Sequence, residues 1–130
     1  MIHTIVITLG QLGEALIQST NCIIGPSKQV ESIGLAWDEG INTQRGKISL
    51  RIRELREQGD VLLLTDIVGS TATNIALESM DSNKVEVVTG VNLPMLIKAV
   101  TLPPDTKLAE AVDEVRSLGK KSIYVASEVM

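Results

Sequence analysis

The chain is poor in the residue types that define several functional classes. It has no phenylalanine and only one tryptophan, one tyrosine, one histidine and one cysteine among 130 residues. A single cysteine excludes an intrachain disulfide and favours a reducing compartment. One histidine and one cysteine cannot supply the usual ligand set of a metal centre. The scarcity of aromatic side chains argues against the stacking platforms that bind single-stranded nucleic acid.

Long apolar runs and an excess of basic residues are also missing. No run approaches the roughly 18 residues of a membrane span, and the N-terminal sequence MIHTIVITLG lacks the basic start of a secretion signal. The net charge of −4 at pH 7 disfavours nucleic acid as a partner, because phosphate neutralisation needs a basic face. We therefore expect a cytoplasmic protein without a metal or cofactor.

The length and hydropathy pattern predict one domain over residues 1–130. Short apolar runs at residues 2–8, 30–37, 61–64 and 85–88 predict strands, and helical periodicities separate them. The run VLLL at 61–64 is apolar on both faces, as is typical of a central parallel strand. The pattern predicts an α/β fold with a doubly wound, mostly parallel four-stranded sheet and helices on both faces. Residues 122–127 (SIYVAS) add a short edge strand, paired in its own sheet or on a neighbouring subunit.

Single residues within this pattern carry their own structural expectations. Asn42 and Thr43 are candidate N-caps of the second helix. Pro94 is expected in the first turn of the helix after the fourth strand. Cys22 is expected to be a small core residue, and Trp37 is expected to pack at the end of its strand.

Three loops are expected to meet at the carboxyl ends of the strands, where open α/β sheets bind ligands. They are residues 8–10, 66–71 and 90–94. In the second loop, Asp66 follows a buried strand, Gly69 permits close backbone approach, and Ser70 and Thr71 offer hydroxyl groups at a helix start. Such a helix start attracts phosphate or carboxylate, although a hydroxyl that merely caps the helix is the simpler interpretation. Asp66 either hydrogen-bonds loop amides or orients a reacting group.

The only histidine, His3, lies at the beginning of the first strand. At about 3.3 Å per residue it is roughly 20 Å from the edge where the three loops meet. We therefore expect His3 to have a structural or solvent-facing role.

Three segments of the chain resemble the mannose-family enzyme IIA domain of the bacterial phosphoenolpyruvate-dependent sugar phosphotransferase system. They are IVITLGQLGEAL at residues 5–16, LLLTDIVGSTATNIA at 62–76 and VEVVTGVNLPMLIKAV at 85–100. The three segments have the order and spacing of the family, and GVNLPML is close to diagnostic. The similarity spans essentially the whole chain.

The resemblance implies a phosphocarrier. Family members take a phosphoryl group from the histidine carrier protein onto a histidine after the first strand. They pass it to a IIB partner, which phosphorylates a sugar entering through the membrane components IIC and IID. By resemblance, Asp66 supports that histidine, Gly10 belongs to its loop, and Gly69, Ser70, Thr71 and Asn92 surround the phosphoryl group. The resemblance also implies a homodimer that exchanges the C-terminal strand, here residues 122–127, and a location in the cytoplasm, peripheral to the inner membrane through partners.

One position departs from the family pattern. The family places its histidine between the residues that match Thr8 and Gly10, and this chain has Leu9 there. Leucine has no nitrogen and cannot form a phosphoramidate. The chain is therefore either a natural relative that has lost phosphotransfer or one whose histidine was substituted.

Two other functional classes follow from the same residues. A non-enzymatic regulatory or interaction module on this fold would use Leu9 in an uncharged protein contact. A receiver-like domain would use Asp66 as the phosphoryl acceptor, but it needs an acidic pair after the first strand to hold a metal. This chain offers Thr8, Leu9 and Gly10 there, which disfavours the receiver interpretation.

Overall fold

A computed structural model describes residues 1–81 and 83–129 of the chain. Its centre is a four-stranded sheet in the order β2-β1-β3-β4, and every pairing within it is parallel. The strands are β1 (Ile2–Leu9), β2 (Val30–Leu35), β3 (Asp60–Thr65) and β4 (Val85–Val88). The predicted parallel four-stranded sheet is confirmed, and β2 ends two residues earlier than predicted.

Helices cover both faces of this sheet, as predicted. They are α1 (Leu12–Ile24), α2 (Ile41–Arg56), α3 (Thr71–Glu78), α4 (Leu93–Thr101), α5 (Leu108–Lys121) and the short α6 (Ala126–Val129). On one face, α2 and α3 bury aliphatic side chains against β1 and β3, among them Ile48, Ile52, Ile75, Ile5, Ile7 and Leu63. On the other face, α4 and α5 pack against β1 and β3. The buried side chains there include Met95, Leu96, Val115, Val6, Leu62 and Leu64. A sheet buried on both sides explains the continuous apolar run of β3.

The strand order places a crevice between β1 and β3. The chain leaves β1 to form β2 on one side and then β3 on the other. At such a reversal the two connections diverge to opposite faces, which opens the space beyond the carboxyl ends of the two strands. Leu9 ends β1 and Asp66 follows β3, so both lie at this crevice.

The predicted strand at residues 122–127 is wrong for the chain by itself. After α5 ends at Lys121, residues 122–125 are irregular and α6 follows. The β-branched run suits a strand only where a sheet edge receives it, because strand preference depends on the neighbours that the side chains meet. In this chain the segment joins neither edge of the sheet, and Ile123, Tyr124 and Val125 are exposed.

Other local expectations meet mixed outcomes. Pro94 lies in the first turn of α4, as predicted. Neither Asn42 nor Thr43 caps α2, because the helix already begins at Ile41 with Gly40 before it. Cys22 and Trp37 are exposed rather than packed. No helix among residues 1–81 and 83–129 is long and apolar enough to cross a bilayer.

Candidate functional site

A hydrogen bond joins the first two loops at the crevice. The backbone N–H of Leu9 donates to Oδ2 of Asp66 over 2.9 Å. The two residues follow adjacent strands, β1 and β3, which explains why positions so far apart in sequence meet. The prediction that Leu9 and Asp66 share one edge of the sheet is confirmed.

The carboxylate of Asp66 accepts hydrogen bonds from three groups around it. Besides the N–H of Leu9, they are the backbone N–H of Ile67 at 2.7 Å and the hydroxyl of Ser70 at 2.5 Å. Partial burial acts to raise the pKa of Asp66, but the hydrogen bonds from Ser70, Leu9 and Ile67 outweigh it. The pKa therefore lies below its ordinary value, and the group is an anion at neutral pH.

Ser70 joins this carboxylate to the start of α3. Its Oγ accepts from the backbone N–H of Thr73 at 3.1 Å, so Ser70 is the N-cap of α3. Thr73 Oγ1 in turn lies 2.8 Å from both Thr65 Oγ1 and the carbonyl oxygen of Ile67. The capping interpretation of Ser70 is confirmed. Thr71 is the first residue of the helix and is exposed.

The first loop is fixed by contacts that the sequence did not reveal. Thr8 Oγ1 is buried and accepts from the N–H of Gly13 at 2.9 Å. Gly10 has a φ of 63°, in the left-handed region that favours glycine. Its carbonyl oxygen lies so close to Gly34 on β2 that a Cβ at Gly34 would overlap it. The glycine within the β2 pattern was the available signal for this close approach.

The third loop reaches the site through its backbone. The N–H of Gly90 donates to the carbonyl oxygen of Asp66 at 3.0 Å. The side chain of Asn92 is engaged elsewhere: its Oδ1 accepts from Met95 N at 3.0 Å, and its Nδ2 donates to Gly119 O at 3.2 Å. Asn92 thus caps α4 and ties it to α5, and its role toward a phosphoryl group stays a prediction.

His3 lies near the opposite end of β1, as expected. Its Nε2 is 2.9 Å from Glu31 Oε1, and Arg51 also binds that carboxylate. Burial is the main cause that lowers the pKa of His3, and the Coulombic attraction and hydrogen bond of Glu31 offset it only in part. His3 thus belongs to a network that joins β1, β2 and α2, away from the crevice.

The crevice therefore combines an anionic carboxylate with glycine turns and an apolar side chain. Gly69 has a φ of 87° and is exposed, and Leu9 is exposed at the crevice mouth. The residues described contain no group of three or more histidine, cysteine, aspartate or glutamate side chains placed to hold a metal ion.

Comparison with known proteins places this geometry in a family. A model of the family described as PTS system fructose IIA component matches residues 3–116. The fructose-specific EIIA component of Bacillus subtilis is 28% identical over 129 residues, covering 98% of this chain and 88% of that protein. The mannose-specific EIIAB component of Escherichia coli is 29% identical over 106 residues, covering 78% of this chain but only 33% of that longer protein.

Solved structures agree in fold. The phosphotransferase system component EIIA from Streptococcus agalactiae superposes with a TM-score of 0.87 at 26% identity, covering 98% of this chain and 99% of that chain. The mannose/sorbose-specific IIA subunit from Enterococcus faecalis superposes with a TM-score of 0.84 at 24% identity, covering 95% and 92%. With a family model matched over most of its length, the chain belongs to the mannose/fructose-type enzyme IIA family of the sugar phosphotransferase system.

Proposed function

We propose that this chain is an enzyme IIA of a sugar uptake system that docks its phosphotransfer partners without accepting a phosphoryl group. The partners are the histidine carrier protein and a IIB component, which acts with IIC and IID in the membrane, and the chain is cytoplasmic. One observation carries the proposal: the residue whose backbone is hydrogen-bonded to Asp66 at the mouth of the crevice is Leu9, which is exposed there. A leucine has no atom that can attack phosphorus.

Neither of the other two candidate acceptors suits the reaction. His3, the only histidine in the sequence, lies near the far end of β1 and is hydrogen-bonded to Glu31. Asp66 is at the crevice, but three donors already bind its oxygens. Those bonds stabilise the anion. They also reduce its nucleophilicity, because the oxygen lone pairs are engaged in hydrogen bonds.

Radiolabel transfer tests this proposal. The chain is incubated with labelled phosphoenolpyruvate, enzyme I and the histidine carrier protein, and acid-labile, base-stable label is measured. We expect none on the unchanged chain and clear labelling of Leu9→His, which restores an imidazole beside Asp66. Leu9→Gln is the matched control, polar and of similar size but without a nucleophilic nitrogen, and should stay unlabelled.

Two results would count against the proposal. Stable phosphohistidine on the unchanged chain would refute its silence, and His3→Gln would then show whether His3 carried the label. A Leu9→His variant that folds but takes no label would contradict the assignment of residue 9 as the acceptor position.

We also propose that the chain forms a homodimer in which residues 122–127 of one protomer pair with the sheet of the other. Support comes from the edge position of β4 in the sheet. A groove of about 570 Å³ runs beside β4, lined also by Val112, Arg116 and Ile123. The exposed apolar residues Ile123, Tyr124 and Val125 follow the C-terminal end of α5. An open strand edge is a template for another strand.

Light scattering of the intact chain and of a chain ending at Lys121 tests this assembly. The intact chain should have the mass of a dimer and the shortened chain that of a monomer, with α5 left complete. A monomeric intact chain would rule out the dimer. A shortened chain that remains dimeric would rule out the exchange of residues 122–127.

A further inference from the structure

A row of serine and threonine hydroxyls lies behind the Asp66 carboxylate. Thr65 is 0% exposed and Thr73 is 2% exposed, so bulk water reaches neither hydroxyl. Thr73 Oγ1 lies 2.8 Å from both Thr65 Oγ1 and the carbonyl oxygen of Ile67. It is 3.2 Å from Ser70 Oγ. Because buried polar groups are almost always hydrogen-bonded, these contacts determine where the hydroxyl protons lie.

Each hydroxyl has one proton to donate, and this fixes the direction of every bond in the row. The Asp66 carboxylate is ionised and can only accept, so Ser70 donates across their 2.5 Å contact. The Ile67 carbonyl can also only accept, so it takes the proton of Thr73. Thr73 then has no proton left for Thr65, and Thr65 donates to Thr73 Oγ1. The longer contact between Ser70 and Thr73 has no proton in it.

This arrangement holds Ile67 at both of its backbone polar groups. Its carbonyl oxygen accepts from the Thr73 hydroxyl at 2.8 Å and from the Ser70 N–H at 3.1 Å. Its own N–H donates to Asp66 Oδ1 at 2.7 Å. Residues 67–69 are exposed, so hydrogen bonds rather than side-chain packing hold this part of the second loop. The hydroxyl of Thr73 is its buried anchor.

We propose that Thr73 is a positioning residue of the crevice, whose hydroxyl fixes the backbone of Ile67 and thereby directs the Asp66 carboxylate toward residue 9. The buried neighbours of Thr73 on α3 are alanine and isoleucine, so packing alone does not require a hydroxyl there. A valine has a similar shape but no proton for the Ile67 carbonyl. The consequence for phosphotransfer rests on the proposed function, because a histidine introduced at residue 9 would need the carboxylate held in place.

Proton NMR of the unsubstituted chain in water tests the assigned bond directions. Slowly exchanging hydroxyl resonances are expected for Thr65 and Thr73, because both groups are buried and hydrogen-bonded. The Thr73 hydroxyl proton should show a nuclear Overhauser effect to the Ser70 N–H, since both donate to the Ile67 carbonyl. A Thr73 hydroxyl that exchanges as fast as that of an exposed threonine would overturn the proposal, whatever the stability of any variant.

NMR titration of the Asp66 carboxyl carbon tests the positioning role. Thr73→Val should raise the pKa of Asp66 toward the ordinary aspartate value of about 3.9, because the donors that lower it are no longer held in place. Thr73→Ser keeps a hydroxyl and should keep the low pKa. Thr20→Val is the matched control: Thr20 is 1% exposed, but its hydroxyl donates to a carbonyl of its own helix α1. Equal pKa values of Asp66 in Thr73→Val and Thr20→Val would contradict the role of Thr73.

Radiolabel transfer in the Leu9→His background measures the consequence for the reaction. Adding Thr73→Val should slow labelling about tenfold, adding Thr73→Ser should restore the rate, and adding Thr20→Val should leave it unchanged. An undiminished rate with Thr73→Val would overturn the positioning role. If Leu9→His itself takes no label, the proposed function fails, and the two NMR measurements still decide the role of Thr73.

Discussion

Replacing Ser70 by alanine should destabilise the protein by about 2 kcal/mol. Ser70 makes two different hydrogen bonds, one from the Thr73 N–H at 3.1 Å and one to the Asp66 carboxylate at 2.5 Å. Losing a serine N-cap costs about 1 kcal/mol. Losing a hydrogen bond to a charged group costs roughly 1.5 kcal/mol at the lower end of the observed range. Water that reaches the partly exposed carboxylate recovers part of the sum, which leaves about 2 kcal/mol.

Urea unfolding at pH 7, followed by far-ultraviolet circular dichroism, measures this loss. A loss of this size lowers Tm by about 8 °C in a domain of this length. Ser49→Ala is the control, because Ser49 lies in the interior of α2 away from the site and should change the free energy of unfolding by less than about 0.5 kcal/mol. Ser70→Thr keeps a capping hydroxyl and should restore most of the stability.

The Ser70→Ala effect also has an internal check in its pH dependence. At a pH low enough to protonate Asp66, the hydrogen bond to the charged group disappears from the unsubstituted protein, and only the cap at Thr73 distinguishes the two chains. The difference in unfolding free energy should therefore fall to about 1 kcal/mol. A pH 7 loss no larger than that of Ser49→Ala would show that Ser70 does not hold the second loop, and would refute a stabilising bond between Ser70 and Asp66.

Two further outcomes follow from the structure. Gly34→Ala should cost roughly 1–3 kcal/mol, because its Cβ overlaps the carbonyl oxygen of Gly10. Gly46→Ala, in the interior of α2 with open space around its Cβ, should instead stabilise the protein by roughly 0.5–1 kcal/mol. Chemical denaturation of both variants measures the two changes in unfolding free energy, which should have opposite signs. Equal signs would contradict the close approach of Gly10 to Gly34. The lowered pKa of Asp66 stabilises the fold fully above the ordinary aspartate pKa of about 4 and ceases to do so as pH falls through the folded value. Unfolding free energies between pH 7 and pH 2 should therefore fall more steeply for the unsubstituted chain than for Asp66→Asn, and parallel curves would refute the shift.

The position of the site could be predicted because parallel strands bring the loops after them to one edge of the sheet. Asp66 comes directly after a strand that is apolar on both faces, and such strands lie in the middle of a parallel sheet. The strand pattern put the loops after the first and third strands at one edge, the family resemblance put residue 9 beside Asp66, and the hydrogen bond between Leu9 and Asp66 agrees with both. The capping role of Ser70 was equally predictable, because serine at a helix start has one strongly preferred use.

The local predictions that were wrong depend on contacts between residues distant in the sequence. Gly34 within β2 signals that something approaches its backbone closely, but the sequence does not show that the partner is Gly10. Asn42 was expected to cap α2, but the helix begins one residue earlier, at Ile41, and buried Gln44 accepts from the N–H of Ala36 at 2.7 Å. Trp37 was expected to pack at the end of its strand, because a lone aromatic residue is weak evidence for a ligand site, yet it is 87% exposed.

The segment at 122–127 failed for a related reason. Its pattern of Ile123, Tyr124 and Val125 favours a strand, but pairing needs an edge in the right place. Ile123 lines the groove beside β4, but residues 122–125 form no strand and pair with neither edge of the sheet. A sequence states what a segment prefers, and the rest of the molecule decides whether a partner is within reach.

The donor that fastens the first loop to Asp66 is a main-chain amide. Every residue except proline carries that N–H, so the fastening is indifferent to the identity of the side chain at residue 9. Reactivity and folding are thereby uncoupled at that point: an imidazole could be exchanged there for a hydrocarbon while the scaffold kept its shape. Loss of chemistry at this position would leave the hydrogen bond between residue 9 and Asp66 in place.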